Sequence, residues 1–106
     1  GLTESAFSND LFSQGWQELP GGLILQWGSF NQSTQSRVDH SFNRNFPSEC
    51  FHVFLTPDFQ SGSNVQETGA FLVSFDRTKF TVETNQIGDP GGPDLGVFSR
   101  FLAIGR

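Results

Sequence analysis

The chain has 106 residues, a formal net charge of −5 and only 16% charged side chains. This length predicts a single domain. The acidic balance excludes a protein that holds phosphates with a basic stripe, so we expect no nucleic-acid partner, whereas sugars and proteins remain possible partners. Thirteen Phe residues, with no Tyr and no Met, predict a core or an interface built from rings.

The N-terminal segment predicts a short helix before the folded domain. A cap at residues 8–10 would begin a turn that contains Leu11 and Phe12, and Gly15 would end it. We therefore expect residues 1–15 to form a helical lead-in.

From residue 16 the sequence changes to the period of two that is typical of strands. In the segment that follows residue 69, Phe71, Val73 and Phe75 are expected to face inward. Short strands separated by turn residues favour an all-β fold, an antiparallel β-sandwich over residues 16–106. The strands are expected at residues 16–19, 23–27, 37–42, 50–56, 70–75, 80–84 and 97–104.

The strand order predicts where the connections lie. If successive strands are antiparallel, connections 28–36, 57–69 and 85–96 share one end, while 43–49 and 76–79 share the other. The first three are long and polar, and loops on a rigid scaffold commonly carry binding sites. The candidate binding residues are Asn31, Gln32, Asp58, Phe59, Gln60, Asn64, Gln66, Asn85, Gln86 and Asp89.

Three segments are apolar on both faces of the predicted strands, namely residues 23–25, 50–55 and 98–104. A two-sheet sandwich buries only one face of each sheet. A neighbouring copy of the chain is the economical cover for the remaining faces, so we expect self-association.

Cys50 is the single cysteine and lies within an apolar run. We expect a buried, unreactive thiol in a protein that is made in a reducing cytoplasm. We find no signal peptide, and no apolar stretch is long enough to suggest membrane insertion.

Residues 15–28, which read GWQELPGGLILQWG, resemble the opening motif of the C-terminal tip domain of bacteriophage tail fibres. Further matches are Phe46-Pro47 before Cys50, residues 80–82, and the ending FLAIG at residues 101–105. The resemblance implies a homotrimeric β-sandwich at the distal end of a phage or R-type bacteriocin fibre, with a fold similar to that of H-type lectins. Two departures from the family pattern are Gln14 in place of Asn and Arg106 in place of a terminal aromatic residue.

What the resemblance implies for function is adhesion. The expected receptor is a bacterial cell-surface glycan, above all that of lipopolysaccharide, or another outer-membrane receptor. The other partners would be two further copies of the chain and a fibre shaft at the N-terminus. The protein would be made in the bacterial cytoplasm and carried on the distal tail fibre of a virion or on a phage-tail-like particle. The alternatives are a secreted H-type lectin-like sugar binder, a purely structural trimerisation cap and a polysaccharide-degrading fibre domain.

Several residues permit a second interpretation. Trp16 and Trp27 could stack on sugars, but their aliphatic neighbours favour a place in the scaffold. His40 and His52 could bind a metal, but they lack a thiol or carboxylate cluster and are expected to be structural. Residues 89–94 favour a Pro-Gly turn over a calcium loop. We therefore expect no metal and no cofactor.

A polysaccharide hydrolase would need two carboxylates in one cleft, with the pKa of one of them raised. Asp39 and Asp76 illustrate such a pair, but nothing in the sequence separates them from ordinary surface charge. The spacing also suggests no Ser-His-Asp or Cys-His arrangement. We therefore expect a protein that is not an enzyme.

Overall fold

The computed structural model describes residues 9–58, 67–87 and 96–106. Within these residues, eight antiparallel strands form two sheets, which confirms the expected all-β fold. A five-stranded sheet has the order β1-β2-β3-β8-β5, and a three-stranded sheet has the order β4-β7-β6. The strands are β1 (Asn9–Asp10), β2 (Gly15–Glu18), β3 (Ile24–Gln32), β4 (Arg37–Ser41), β5 (Cys50–Pro57), β6 (Glu67–Phe75), β7 (Lys79–Ile87) and β8 (Val97–Gly105).

Aromatic rings fill the space between the two sheets, as the composition predicted. Phe46 and Phe80 are fully buried, and Phe42 and Phe101 are nearly so. The ring centroid of Phe80 lies 4.8 Å from that of Phe101 and 5.4 Å from that of Phe42. Tilted and edge-on pairs of this kind stabilise a core beyond the burial of their area.

Strand β3 is longer than expected, because Gly28 lies inside the strand and does not end it. A Cβ at Gly28 would overlap the side-chain oxygen of Gln14 and the ring of Phe101. Glycine in the interior of a strand marks such a close approach. The connection that follows is therefore 33–36, and the residues before it belong to the sheet.

The predicted N-terminal helix is wrong where the structure describes its segment. Asn9–Asp10 forms β1 and pairs with β2, and the indole N–H of Trp27 donates to the carbonyl oxygen of Phe12 at 2.7 Å. These contacts with the sheet override the local helix signal. Residues 1–8 lie outside the described residues. None of the described residues belongs to a helix that could cross a membrane.

The expected inward face is wrong for the part of β6 before its bulge, whereas beyond the bulge Phe75 pairs with the buried Phe80 and shares its face. Phe71, Val73 and Phe75 are 57%, 42% and 38% exposed, respectively. Phe71 lies opposite Glu83, on the outer face of the three-stranded sheet, whereas Leu72 packs against the core. Inward and outward side chains alternate along β6 up to a bulge in the strand. The buried face is the one that carries the smaller apolar side chains, Ala70 and Leu72.

The strand directions gather three connections at one end of the molecule. Strands β3 and β5 end, and β8 begins, at the same end of the five-stranded sheet. Strand β6 begins and β7 ends at one end of the other sheet, and the short connection 33–36 joins these two ends. The strand ends that flank residues 59–66 and 88–95 therefore lie together, as antiparallel order predicts. We call this the loop end; the opposite end carries connections 42–49 and 76–78.

Candidate functional site

The register of three strands arranges the outer face of the five-stranded sheet in rows. Side chains in one row of β3, β8 and β5 lie side by side. The two rows nearest the loop end are polar apart from one ring, and the next two are apolar apart from one histidine. From the loop end, the rows are Asn31, Phe98 and Asp58; Ser29, Arg100 and Thr56; Trp27, Leu102 and Phe54; and Leu25, Ile104 and His52.

The two apolar rows form a hydrophobic patch on the described surface. Phe54 is 56% exposed and Leu102 is 43% exposed, while Leu25, Trp27 and Ile104 are half-buried. We call these five side chains the apolar patch. A patch of this kind on a single chain is typical of an interaction surface.

The outer face of the three-stranded sheet has a different character. Arg37 pairs with Glu83 at 3.0 Å, and Lys79 pairs with Asp39 at 3.1 Å. Hydrogen bonds from Thr81 and Lys79 hold the pKa of Asp39 below its usual value. Exposed pairs of this kind belong to a solvated surface.

A cavity of about 300 Å³ opens on this charged face at the loop end. Its position follows from connection 33–36, which is tied to β7 by Thr84. The hydroxyl of Thr84 donates to the carbonyl oxygen of Ser33 at 2.5 Å. The backbone N–H of Thr84 donates to the carbonyl oxygen of Ser36 at 2.9 Å. The connection therefore projects beside β7 as one wall of the cavity. The lining consists of Gln35, Phe71, Glu83, Thr84 and Asn85.

Two backbone features shape this cavity. Gln35 has a φ of 53°, the only positive value of a non-glycine residue in the described part of the chain. Such a conformation is uncommon outside glycine and occurs often at binding sites. Gly69 lies opposite Asn85, and a Cβ there would lie 3.1 Å from the ring of Phe71. The ring therefore lies against a position that has no side chain.

A larger cavity of about 440 Å³ lies at the opposite end. None of its lining residues is aromatic; they are Ser48, Glu49, Cys50, Asp76, Arg77 and Thr78. The carboxylate of Asp76 accepts hydrogen bonds from the backbone N–H groups of Thr78 and Lys79 at 2.7 and 3.0 Å. That carboxylate therefore serves the turn between β6 and β7.

The structure separates the predicted binding residues. Asn31 and Asp58 lie on the outer face of the five-stranded sheet near the loop end, whereas Asn85 lines the cavity of the other sheet. The backbone of Gln86 lies in β7, but its side chain is outside the description. The remaining predicted residues lie outside the described residues; they are Phe59, Gln60, Asn64, Gln66 and Asp89.

Gln32 is the predicted binding residue that the structure places inside the molecule. It is 3% exposed, and its amide nitrogen donates to the carbonyl oxygens of Val82 and Ser36 at 3.0 and 3.1 Å. Its amide oxygen lies 2.7 Å from a ring nitrogen of His40. Because these groups are occupied inside the fold, the side chain of Gln32 is not free to bind a receptor in this structure.

The two histidines do not come together. His40 stacks on Phe30, with 4.0 Å between the ring centroids, and burial lowers its pKa. His52 faces outward from the other sheet. Among the described residues, no group of three or more His, Cys, Asp or Glu side chains could hold a metal ion. Residues 89–94 lie outside the described residues.

Trp16 belongs to the scaffold in this structure, whereas Trp27 belongs to the apolar patch. The guanidinium of Arg44 lies 4.5 Å from the centroid of the Trp16 ring, and it also pairs with Glu18 at 2.8 Å. The buried amide of Gln26 donates to the carbonyl oxygen of Arg44 at 2.7 Å and accepts from its N–H at 3.0 Å. The motif at residues 15–28 thus holds connection 42–49 against the five-stranded sheet.

Asp39 and Asp76, which the sequence analysis named as an example of a catalytic pair, are poor proton donors. The pKa of Asp39 is lowered by hydrogen bonds from Thr81 and Lys79, and the pKa of Asp76 is lowered by hydrogen bonds from Thr78 and Lys79. A general acid that cleaves a glycosidic bond needs a raised pKa. Neither aspartate has the property that this chemistry requires.

Residues 18–106 match a protein family described as putative tail fiber protein gp53-like, C-terminal. The chain belongs to this tail-fibre family. The match confirms the resemblance seen in the opening and closing motifs. Among curated proteins, none matches the chain.

Solved structures of bacteriocin fibres share the fold of this tail-fibre domain. An N-truncated R1-type pyocin tail fibre superposes with a TM-score of 0.73 at 23% identity, over 94% of this chain and 85% of that chain. An N-truncated R2-type pyocin tail fibre superposes with a TM-score of 0.73 at 18% identity, over 94% of this chain and 37% of that chain. The C-terminal part of the P. aeruginosa R1 pyocin fibre superposes with a TM-score of 0.72 at 23% identity, over 94% of this chain and 28% of that chain. The tail-fibre domain thus spans only part of some of these chains.

Proposed function

We propose that this domain is the receptor-binding tip of a tail fibre, and that it attaches a phage or a phage-tail-like particle to bacterial surface glycan. The observation that carries the proposal is the contrast between the two outer faces of the sandwich. One face is apolar where a second copy would cover it, and the other face is charged and solvated with a cavity at the loop end. Contact between subunits and contact with a cell can therefore use different surfaces.

The proposed assembly is a homotrimer that buries the apolar patch. Covering the apolar surface of one chain with another chain lowers the free energy of the assembly. The tail-fibre resemblance implies three copies around the fibre axis. Three copies would present three loop ends to one cell. Linking weak sites in this way raises the overall affinity by about 10²–10⁴-fold, so each site needs to bind only weakly. The fibre shaft would precede β1, which already belongs to the five-stranded sheet.

Adhesion without catalysis agrees with the chemistry of the described residues. The pKa values of Asp39 and Asp76 are lowered by hydrogen bonds, so these two aspartates do not supply the general acid of a polysaccharide hydrolase. A secreted sugar binder would share the fold, but membership of the tail-fibre family favours a particle component.

Adsorption to whole cells tests the proposal. Fluorescently labelled protein would be added to a panel of bacterial strains and to mutants of the same strains with truncated lipopolysaccharide. We expect adsorption to a subset of strains and its loss on truncation. Equal adsorption to the truncated mutants would contradict the glycan assignment.

Loop exchange locates the receptor-binding end. Replacing residues 59–66 and 88–95 with Gly-Ser segments of equal length should abolish adsorption and leave the melting temperature nearly unchanged, because loops tolerate such changes. Arg77→Ala at the opposite end is the control and should adsorb like the wild type. Full adsorption by the exchanged protein would place the receptor site away from these loops.

A further inference from the structure

We infer that the cavity at the loop end of the three-stranded sheet is a subsite for one pyranose ring of a neutral saccharide. This inference rests on the proposed function and deepens it, because it assigns one site and one class of ligand. The ring of Phe71 would meet the apolar C–H face of the sugar, and the polar groups would bind its hydroxyls. Those groups belong to Gln35, Glu83 and Asn85.

The size and lining of the cavity suit a single sugar. A volume of about 300 Å³ lies at the lower end of the range for small-molecule sites, which combine apolar surface with a few placed polar groups. Phe71 is 57% exposed although it is a large apolar side chain, and it lies beside the ion pair of Arg37 and Glu83. Contact with the C–H face of a pyranose gives this ring an apolar partner.

The polar groups offer both donors and acceptors. The amides of Gln35 and Asn85 each carry an acceptor oxygen and two N–H donors, and both side chains are exposed. One oxygen of Glu83 accepts from Arg37 at 3.0 Å, and the carboxylate has further lone pairs. A sugar hydroxyl both donates and accepts, so neighbouring hydroxyls suit such a mixed set.

The charge balance selects a neutral ligand. The carboxylate of Glu83 is paired with the guanidinium of Arg37, so the cavity has no net charge from this pair. The whole chain carries −5, which gives no long-range attraction for an anion. An acidic sugar or a phosphate would therefore gain little here.

The wall of the cavity is held in place before a ligand arrives. The hydroxyl of Thr84 accepts from the backbone N–H of Ser36 at 3.3 Å and lies 3.3 Å from its hydroxyl. These contacts fix connection 33–36 and hold Gln35 in its uncommon backbone conformation. A site with a fixed wall loses less entropy on binding.

The opposite end of the molecule supplies a matched comparison. There Arg106 pairs with Glu49 at 2.9 Å and lies 5.7 Å from the centroid of the Phe51 ring. The same three residue classes are present, away from the loop end. A variant of this pair therefore controls for the loss of an ion pair near a ring.

The test is a two-dimensional ¹H–¹⁵N NMR titration of the whole chain with D-glucose, D-galactose and D-mannose, each added separately. D-glucuronic acid is the anionic comparison. We expect at least one neutral hexose to shift the backbone signals of Gln35, Glu83 and Asn85. Phe71→Leu and Glu83→Gln should each weaken this binding by about tenfold, as expected for the loss of one good contact. Glu49→Gln should bind like the wild type.

Three results would overturn the inference: no shift at the cavity with any neutral hexose, shifts only with glucuronic acid, or loss of binding in Glu49→Gln but not in Glu83→Gln. Adsorption of the same variants to cells separates this inference from the proposed function. If the wild type and Phe71→Leu adsorb equally, the subsite is wrong while adhesion stands. If the wild type adsorbs to no strain, the proposed function fails, and the titration still decides whether the cavity binds sugar.

Discussion

Replacing Phe54 with aspartate should dissociate the tail-fibre domain without unfolding it. In a single chain the side chain of Phe54 is 56% exposed, so a carboxylate at this position stays hydrated and costs the monomer little. In an assembly that covers the apolar patch, the same carboxylate loses its water. A desolvated charge costs several kcal/mol unless it is paired.

The magnitude follows from the exposed area. A Phe side chain buries about 200 Å² when it is fully covered, and 56% of Phe54 remains exposed in one chain. Covering that remainder is worth about 3 kcal/mol per protomer at about 25 cal/mol per Å². Phe54→Asp loses this gain in every copy and adds the desolvation cost, so the protein should be monomeric at micromolar concentration.

Light scattering and thermal unfolding check the prediction. The wild type should have about three times the chain mass of 11.7 kDa, and Phe54→Asp should have the mass of one chain with a cooperative melting transition. The matched control is Phe71→Asp, because Phe71 is 57% exposed but shares its row with Arg37 and Glu83. That variant should remain a trimer. A stable, well-folded wild-type monomer would refute the reasoning, and dissociation by Phe71→Asp would show that the interface includes the three-stranded sheet.

Four further predictions concern the fold. Gly105→Ala should lower the free energy of unfolding in urea by about 1–3 kcal/mol, because its Cβ would overlap the backbone oxygen of Glu49. Ser99→Ala should raise it by up to about 1 kcal/mol, because the buried hydroxyl has no hydrogen-bond partner among the described residues. Burial raises the pKa of the Cys50 thiol to about 11, so iodoacetamide should react slowly at about pH 8 until urea unfolds the chain. Hydrogen bonds lower the pKa of Asp76 below 3.8, so the stability that Asp76→Ala removes should be fully present above pH 3.8 and should vanish as the pH falls through the lowered pKa in acid denaturation.

The positions of most strands could be predicted from the sequence, because period-two alternation and turn residues are local signals. The closing strand is the clearest case, since Val97, Ser99, Phe101 and Ala103 are buried and alternate with outward residues. The antiparallel order then placed the connections at the correct ends. The length of β3 could not be predicted, because Gly28 resembles a turn residue until Gln14 is known to pack against it.

The candidate site was predicted only in part, because its cavity depends on contacts between distant segments. Asn85 was expected from its place in a polar connection. Gln35 lay within another such connection, but its positive φ and its attachment through Thr84 leave no mark in the sequence. Phe71 was assigned to the core, because alternation shows that two faces differ without showing which face is buried.

Exposure alone does not separate an assembly contact from a binding site, and Phe54 and Phe71 show what does. Both rings are exposed to almost the same degree, 56% and 57%. Phe54 lies beside Leu102 in an apolar row, so a large apolar partner can remove the whole row from water. Phe71 lies beside Glu83, whose charge must stay paired or hydrated, so a protein surface could cover this ring only at the cost of that charge. A small ligand that brings hydroxyls to the carboxylate and C–H groups to the ring avoids the conflict, which is why we assign subunit contact to one face and sugar binding to the other.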